Sequence, residues 1–174
     1  MSNSVQNAQA GLRARYKSEP ALATVTCQAT TGGDDPADPF HLKLQTGPRG
    51  DIEVPTGVHA SVGGPYDGPC PGDLLCAALA ACQDSSIRMV ANHMGVELVE
   101  LRVQVRGTLD VRGAMGIDRS VPVGFQSMTT EVHLKAKEGT PPEHIAQLRA
   151  AAEHCCVVRQ TLQSPPAQRT TFHT

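Results

Sequence analysis

Gly68-Pro-Cys-Pro-Gly-Asp-Leu-Leu-Cys-Ala-Ala-Leu-Ala-Ala-Cys-Gln83 is the stretch from which the fold is read. A Gly/Pro-rich approach over 57–71 gives way to an apolar run whose first acidic residue, Asp73, comes directly after Pro71-Gly72, the pattern with which helices begin. The helix is expected to start near Asp73 and to run to about Met94, where Gly95 ends it. Leu75, Leu79, Cys82, Ser86, Met89, Val90 and His93 recur at three- and four-residue steps. That periodicity predicts a buried stripe with Cys82 inside it at mid-helix.

Downstream, Val96–Asp110 and Val121–Lys137 carry alternating apolar residues and read as an antiparallel strand pair joined through Val111-Arg-Gly-Ala-Met-Gly116. Pro141-Pro142 opens a second helix with Ile145, Leu148, Ala151 and Ala152 on one face, reaching Cys155-Cys156. Pro165-Pro166 stops any continuation beyond that helix, and Gln168–His173 has the character of a last edge strand. Upstream, Ala23–Ala29 and Phe40–Leu44 alternate as half-buried strands do, separated by a turn or loop over Thr31–Pro39. A polar segment, residues 1–20, has a helix-like stretch near Gln9–Lys17 that Pro20 stops and reads as a mobile arm or packing helix. The organisation is thus an N-terminal arm (1–20) and a single domain (21–174).

With 174 residues, 40% apolar content and a formal charge of −2, the chain fits one globular domain with its own core. No Lys/Arg cluster interleaves with aromatics, so the electrostatic footprint of a nucleic-acid binder is missing. No apolar run is expected to approach the roughly 20 residues that span a bilayer. The polar start, Met1-Ser-Asn-Ser-Val-Gln-Asn-Ala-Gln9, does not resemble a signal peptide, so the expected location is cytoplasmic and no membrane partner is expected.

Six cysteines, at 27, 70, 76, 82, 155 and 156, are therefore expected as reduced thiols. A zinc site is disfavoured by spacing. Cys76 and Cys82 are six apart, which on a helix separates them by roughly 120° around the axis, and no Cys-x-x-Cys or His-x-x-x-His pair occurs. No metal and no bound cofactor are called for.

Three segments in order, Gly63-Gly64…Gly68-Pro-Cys-Pro-Gly-Asp-Leu-Leu-Cys-Ala-Ala-Leu-Ala-Ala-Cys82, Gly107-Thr-Leu-Asp-Val-Arg-Gly113 and Cys156-Val-Val-Arg-Gln-Thr-Leu162, resemble the OsmC/Ohr family of osmotically induced and organic-hydroperoxide-resistance proteins. The likeness covers about residues 57–164. It implies an α+β, OsmC-like fold, with curved antiparallel sheets packed on two long helices in an intertwined homodimer whose active sites lie at the subunit interface. It also implies reduction of organic hydroperoxides, recycling by an external dithiol of the lipoyl type, and roles for Cys82 as the peroxide-reactive thiol and Cys156 as the resolving one.

The chemistry stands without the family. A thiolate attacks the O–O bond, leaving a sulfenic acid and an alcohol, and a second thiol condenses with the sulfenic acid to a disulfide. Burial of the reactive thiol favours apolar alkyl peroxides but raises its pKa, a cost that something must offset. In peroxidase members of the family an Arg–carboxylate pair does this, with the Glu ten residues before the cysteine; this chain has Gly72 there. Asp73 is the nearest carboxylate. Helix geometry puts it about 180° around and some 13 Å along the axis from Cys82, so it reads first as a helix cap. Arg15 and Arg49 are the candidate arginines, because Arg88, six after Cys82, points elsewhere. Cys70 and Cys76 read as small core residues, Cys155 as a bystander or back-up to Cys156, and His59 as a satisfied structural histidine. The rival reading is a non-catalytic relative that binds an apolar small molecule, or senses redox state, at the dimer interface.

Overall fold

The computed structural model describes residues 4–32 and 35–174; Gly33 and Asp34, within the expected Thr31–Pro39 turn, lie outside the described residues. The elements, in chain order, are α1 (Ser4–Ser18), β1 (Thr30–Thr31), β2 (His41–Thr46), β3 (Ile52–Gly57), α2 (Pro71–Met94), β4 (Leu98–Thr108), α3 (Val111–Ala114), β5 (Ser127–Ala136), α4 (Pro142–Cys155) and α5 (Val157–Gln163). They fall into two compact units. The first comprises Met1–Ala10, Ala78–Gln104 and Thr130–Thr174, the second Gly11–Ala77 and Val105–Thr129.

The first unit holds the core. Ile87 and Ala91 of α2, Val96 and, from α4, Leu148 and Ala152 form one buried cluster, with Val90, Met94, Leu98, Leu134 and Ile145 packed around it. Leu148, Ala152 and Cys156 are each fully inaccessible and stand at four-residue steps, so one face of α4 is buried down to its last turn. Burying a leucine side chain contributes roughly 1.5–3 kcal/mol, which makes Leu148 the largest single term on this face. The N-terminus of α1 is fixed to the end of α2: Val5 N–H donates to Asn92 Oδ1 at 3.0 Å and Gln6 Nε2 to the His93 carbonyl at 3.0 Å. Of the two readings of the N-terminal segment, these bonds describe a packing helix.

In the second unit β1, β2 and β3 make an antiparallel sheet in that order, with His41 opposite Gly57 and Thr46 opposite Ile52. The β2–β3 turn closes with Gly50 N–H on the Gly47 carbonyl at 3.1 Å, and Gly47 has φ 92°, a conformation that favours glycine. Strands β4 and β5 pair in a second sheet. Bonds from Gln126 N–H to Thr108 O (2.8 Å) and from Lys137 N–H to Glu97 O (2.9 Å), at opposite ends of the ladder, make it antiparallel.

Several expectations are corrected. Residues 24–29 of the Ala23–Ala29 segment form no strand; they are exposed, Val25 being 78% accessible. Gln168–His173 is likewise irregular and exposed. β3 carries Pro55 within the pairing and is not separately legible in the sequence. The β4–β5 connection contains a helical turn, α3, capped by Asp110, whose side chain accepts from Arg112 N–H at 3.0 Å. The second helix ends at Cys155, and a new one begins after Cys156.

The helix α2 begins two residues before Asp73. Pro71 takes the first helical position, where its missing N–H costs nothing, and the Asp73 carboxylate reaches back to accept the Cys70 N–H at 2.9 Å. Gly95 comes after the last turn at φ 71°. The buried stripe is rotated from its expected position: Leu79, Gln83, Ser86, Ile87 and Ala91 are buried, whereas Met89 is 46% accessible, His93 is exposed and Cys82 is half-buried. The core partners of α2 sit opposite Ile87 and Ala91, so two polar residues and an alanine lie in the stripe while a methionine is left out. By length and composition α2 is also long and apolar enough to cross a membrane, which corrects the expectation that no run approaches that length.

Candidate active site

Two residues of the first unit meet at the corner between α4 and α5. Cys156 is the hinge of that corner, in extended conformation (φ −75°, ψ 98°), and it ends one helix and starts the next. It is fully buried, whereas Cys155, the last residue of α4, is exposed, so the adjacent side chains diverge. Cys82, half-buried at mid-α2, comes to the same corner and is one of the groups acting on the Cys156 thiol. The backbone N–H of Val158, in the first turn of α5, points at Cys82 Sγ at 3.5 Å. Both cysteines are free thiols. Cys82 Sγ thus meets the first turn of α5, two residues beyond Cys156.

Burial pushes the Cys156 thiol up, and the neighbouring Cys82 adds to this, while Arg159 in the first turn of α5 pulls it back. The Arg159 guanidinium is held on two sides. Nη2 lies 3.1 Å from Glu153 Oε2, and Nη1 donates to Gln163 Oε1 at 3.2 Å. Gln160 Nε2 donates to the Glu153 carbonyl at 3.1 Å and ties α5 back to the last turn of α4. Sequence reasoning singles out neither Arg159 nor Glu153. Arg159 stands three residues after Cys156 and Glu153 three before it, but only the helix break at Cys156 brings them together. The spacing of both to Cys156 is the one signal in the sequence that could have found them.

Arg15, Arg49 and Asp73 belong to the second unit and Arg88 to the first. Arg15 is exposed on α1 in the second unit. Arg49 is in the β2–β3 turn, where Nη2 pairs with Asp51 at 2.6 Å and the side chain is 84% accessible. Arg88 pairs with Asp84 one turn back. Asp73 serves the start of α2; the Cys70 N–H is the first cause holding its carboxyl below the usual range, and Tyr66 Oη donates to it at 3.4 Å. Burial pushes the Cys76 thiol up, the neighbouring Asp73 charge adding to it, as befits a protonated packing residue. His59 Nδ1 accepts the Ser61 N–H at 3.0 Å while the ring packs on Tyr66 at 4.3 Å, a structural arrangement. Beside it, in the second unit, a cavity of about 620 Å³ is walled mainly by Val62, Pro71, Leu109, Val123 and Phe125, with Cys70 in its lining. Among the described residues no cluster of three or more His, Cys, Asp or Glu is placed to hold a metal ion.

Residues 63–170 match the sequence profile of the family described as OsmC-like protein. The chain belongs to the OsmC-like family. No curated protein matches it in sequence. Its fold is shared with solved OsmC-like structures: an OsmC-like protein from Mycoplasma pneumoniae (TM-score 0.62, 13% identity, 81% of this chain and 89% of that one) and one of unknown function from Vibrio cholerae (0.63, 10%, 79% and 94%). A Legionella pneumophila protein described as organic hydroperoxide resistance protein OsmC is also similar (0.57, 20%, 80% and 90%).

Gly72, ten residues before Cys82, packs against the ring of Phe125. A Cβ there would stand 3.3 Å from Cζ of Phe125 and 3.6 Å from Cys70 Sγ, and a Cβ at Gly107 would run into the same ring. A side chain at position 72 would press on the edge of the Phe125 ring.

Proposed function

We propose that the chain is a thiol-dependent peroxidase of organic hydroperoxides. Membership of the OsmC-like family supports a peroxide-resistance or redox-related role. The observation that carries the finer reading is the meeting of two free thiols at one corner, Cys82 half-buried with its sulfur on the Val158 N–H and Cys156 fully buried two residues before. The Cys82 thiolate attacks the terminal oxygen of ROOH; the O–O bond breaks, ROH leaves with a proton, and Cys82 carries a sulfenic acid. Cys156 then displaces its oxygen as water, and an external dithiol reduces the resulting disulfide. The pair needs no bound cofactor for this cycle.

Of the apolar residues expected around Cys82, Leu79 is buried one turn before it and Val90 is half-buried, while Met89 faces solvent. An alkyl chain that buries two methylenes against such a surface gains about 0.8 kcal/mol for each, or roughly tenfold in rate if the gain is kept in the transition state. Peroxide loss followed with a dithiol reductant, tert-butyl hydroperoxide and hydrogen peroxide in parallel, is expected to favour the alkyl peroxide by about that factor. No consumption of either oxidant by the reduced protein would overturn the peroxidase reading.

We further propose that it works as a homodimer. Large apolar side chains are exposed on both units, among them Met89, Val99, Val132 and Val157 in the first and Val25, Ile52, Ile117 and Val123 in the second. Apolar surface left open in this way marks contact surfaces, and most soluble homo-oligomers are twofold dimers. Sedimentation velocity at micromolar concentration is expected to give twice the chain mass of 18.4 kDa. A stable monomer there would sink the proposal.

A further inference from the structure

The loop that leads into α2 is pinned to the first sheet by a histidine set between two carboxylates. We propose that His41 is a proton-operated clasp: as an imidazolium between Asp38 and Asp67 it fastens that loop to the β2–β3 sheet, and loss of its proton releases it. His41 opens β2, with Nδ1 2.8 Å from Asp38 Oδ2 and Nε2 3.1 Å from Asp67 Oδ2. A neutral imidazole has one N–H and can donate to only one of these carboxylates, so both bonds are made only when the ring carries two protons and a positive charge. The acceptors come from different parts of the chain. Asp38 lies in the turn before β2, where its other oxygen takes the Phe40 N–H at 2.8 Å, and Asp67 lies in the loop between β3 and α2.

That loop needs a fastening. Tyr66 has φ 55°, the single positive φ of a non-glycine residue among the described residues, and a side chain disfavours this left-handed conformation. On either side of Asp67 the loop is tied to the end of β3, by Tyr66 N–H on the Val58 carbonyl and by Gly57 N–H on the Pro69 carbonyl, both at 3.1 Å. Gly57 stands opposite His41 in the β2–β3 pairing, and a Cβ on it would lie 3.2 Å from Asp67 Oδ1. The missing side chain is what lets the carboxylate lie over the strand end and reach the ring. His41, Asp38 and Asp67 wall a cavity of about 380 Å³ whose other charged residues are Asp35 and Lys43, and Lys43 Nζ is 3.6 Å from Glu53 of β3.

Hydrogen bonds to Asp38 and then Asp67 hold the His41 imidazole above its ordinary value of about 6.5, while the Phe40 N–H and then His41 hold the Asp38 carboxyl below the usual range. A group raised on folding stabilises fully below its unfolded value and loses that contribution as pH rises through its folded one; a lowered carboxyl loses its contribution as pH falls through its folded value. The clasp is therefore closed between the Asp38 and His41 midpoints and opens above the second. His41 and Asp67 are 50% and 58% accessible, so water and salt screen the pair and the response of the loop is modest.

The test follows the histidine rings of the full chain by NMR from pH 5 to 9 at low salt, with resonances assigned through their bonds to the backbone. The His41 midpoint is expected above about 6.5 in the wild type and lower in Asp67→Asn and in Asp38→Asn. In parallel, hydrogen exchange at the N–H groups of Gly57 and Tyr66 is divided into the intrinsic rate at each pH. Their protection is expected to fall by about two- to fivefold as pH rises through the His41 midpoint, and to stay flat there in His41→Gln. Both main readouts are made on the wild-type chain, so a variant that fails to fold leaves the test standing. A wild-type midpoint at or below about 6.5, or one that Asp67→Asn leaves unmoved, overturns the charged bridge. A raised midpoint with protection that does not change across it overturns the release of the loop.

Discussion

Cys82→Ser is expected to abolish dithiol-dependent peroxide consumption, whereas Cys156→Ser is expected to leave one turnover and a sulfenic acid on Cys82 that dimedone traps. The difference comes from the geometry of the pair. Cys82 is half-buried and its sulfur accepts from the Val158 N–H, so of the two thiols it is the one placed to meet a peroxide. Cys156 is fully inaccessible, and burial pushes its thiol up, so it is protonated and shielded until its neighbour is oxidised. A serine at 82 keeps the volume but offers an alcohol that does not ionise at neutral pH. A serine at 156 removes the partner of the condensation and nothing before it. Full turnover by Cys82→Ser would show that another of the six cysteines is the reactive one. Multiple turnovers by Cys156→Ser, with Cys155 in the disulfide, would transfer the resolving role to its exposed neighbour.

The second large effect is on stability. Leu148→Ala is expected to cost about 2–5 kcal/mol, because a fully buried leucine in a close-packed cluster leaves a cavity that its neighbours fill only partly. The neighbours are Ile87, Ala91, Val96 and Ala152, two of them alanines with no side-chain freedom to move inward. A urea midpoint lower by about 1–2 M is the corresponding measurement, at an unchanged slope. Leu148 lies two turns before Cys156 on the same buried face, so loosening it also loosens the corner that holds the thiol pair. A shift below about 0.5 kcal/mol would mean that this face of α4 is not part of the core.

The elements most legible in the sequence are those fixed by local rules. Pro71 and Gly95 bound α2 because one lacks the N–H that a first turn leaves unpaired and the other takes a φ of 71°, and neither property depends on what packs nearby. The four-residue step from Leu148 to Ala152 is equally plain, and the pairing of β4 with β5 accords with alternation along both strands. Local rules mislead where no neighbour backs them. Ala23–Ala29 alternates as a strand does yet is mostly irregular and exposed, since alternation makes a strand only when an adjacent strand takes its hydrogen bonds.

Tertiary structure decided which face of α2 is inside. A stripe that includes Gln83 and Ser86 and leaves out Met89 is set by the position of Leu148 and Ala152 opposite Ile87 and Ala91, not by the hydropathy of α2 itself. It also decided the composition of the candidate site. The sequence by itself named Cys82 and Cys156 through their motifs, and it set the search for a charge on Arg15, Arg49 and Asp73. The structure pairs Arg159 with Glu153 across the break between α4 and α5, because the chain turns at Cys156 and folds residues on either side of it against one another. A thiol's identity is a local property of the chain, whereas the charge that acts on it depends on where separate turns of backbone meet. That meeting is fixed by packing and burial.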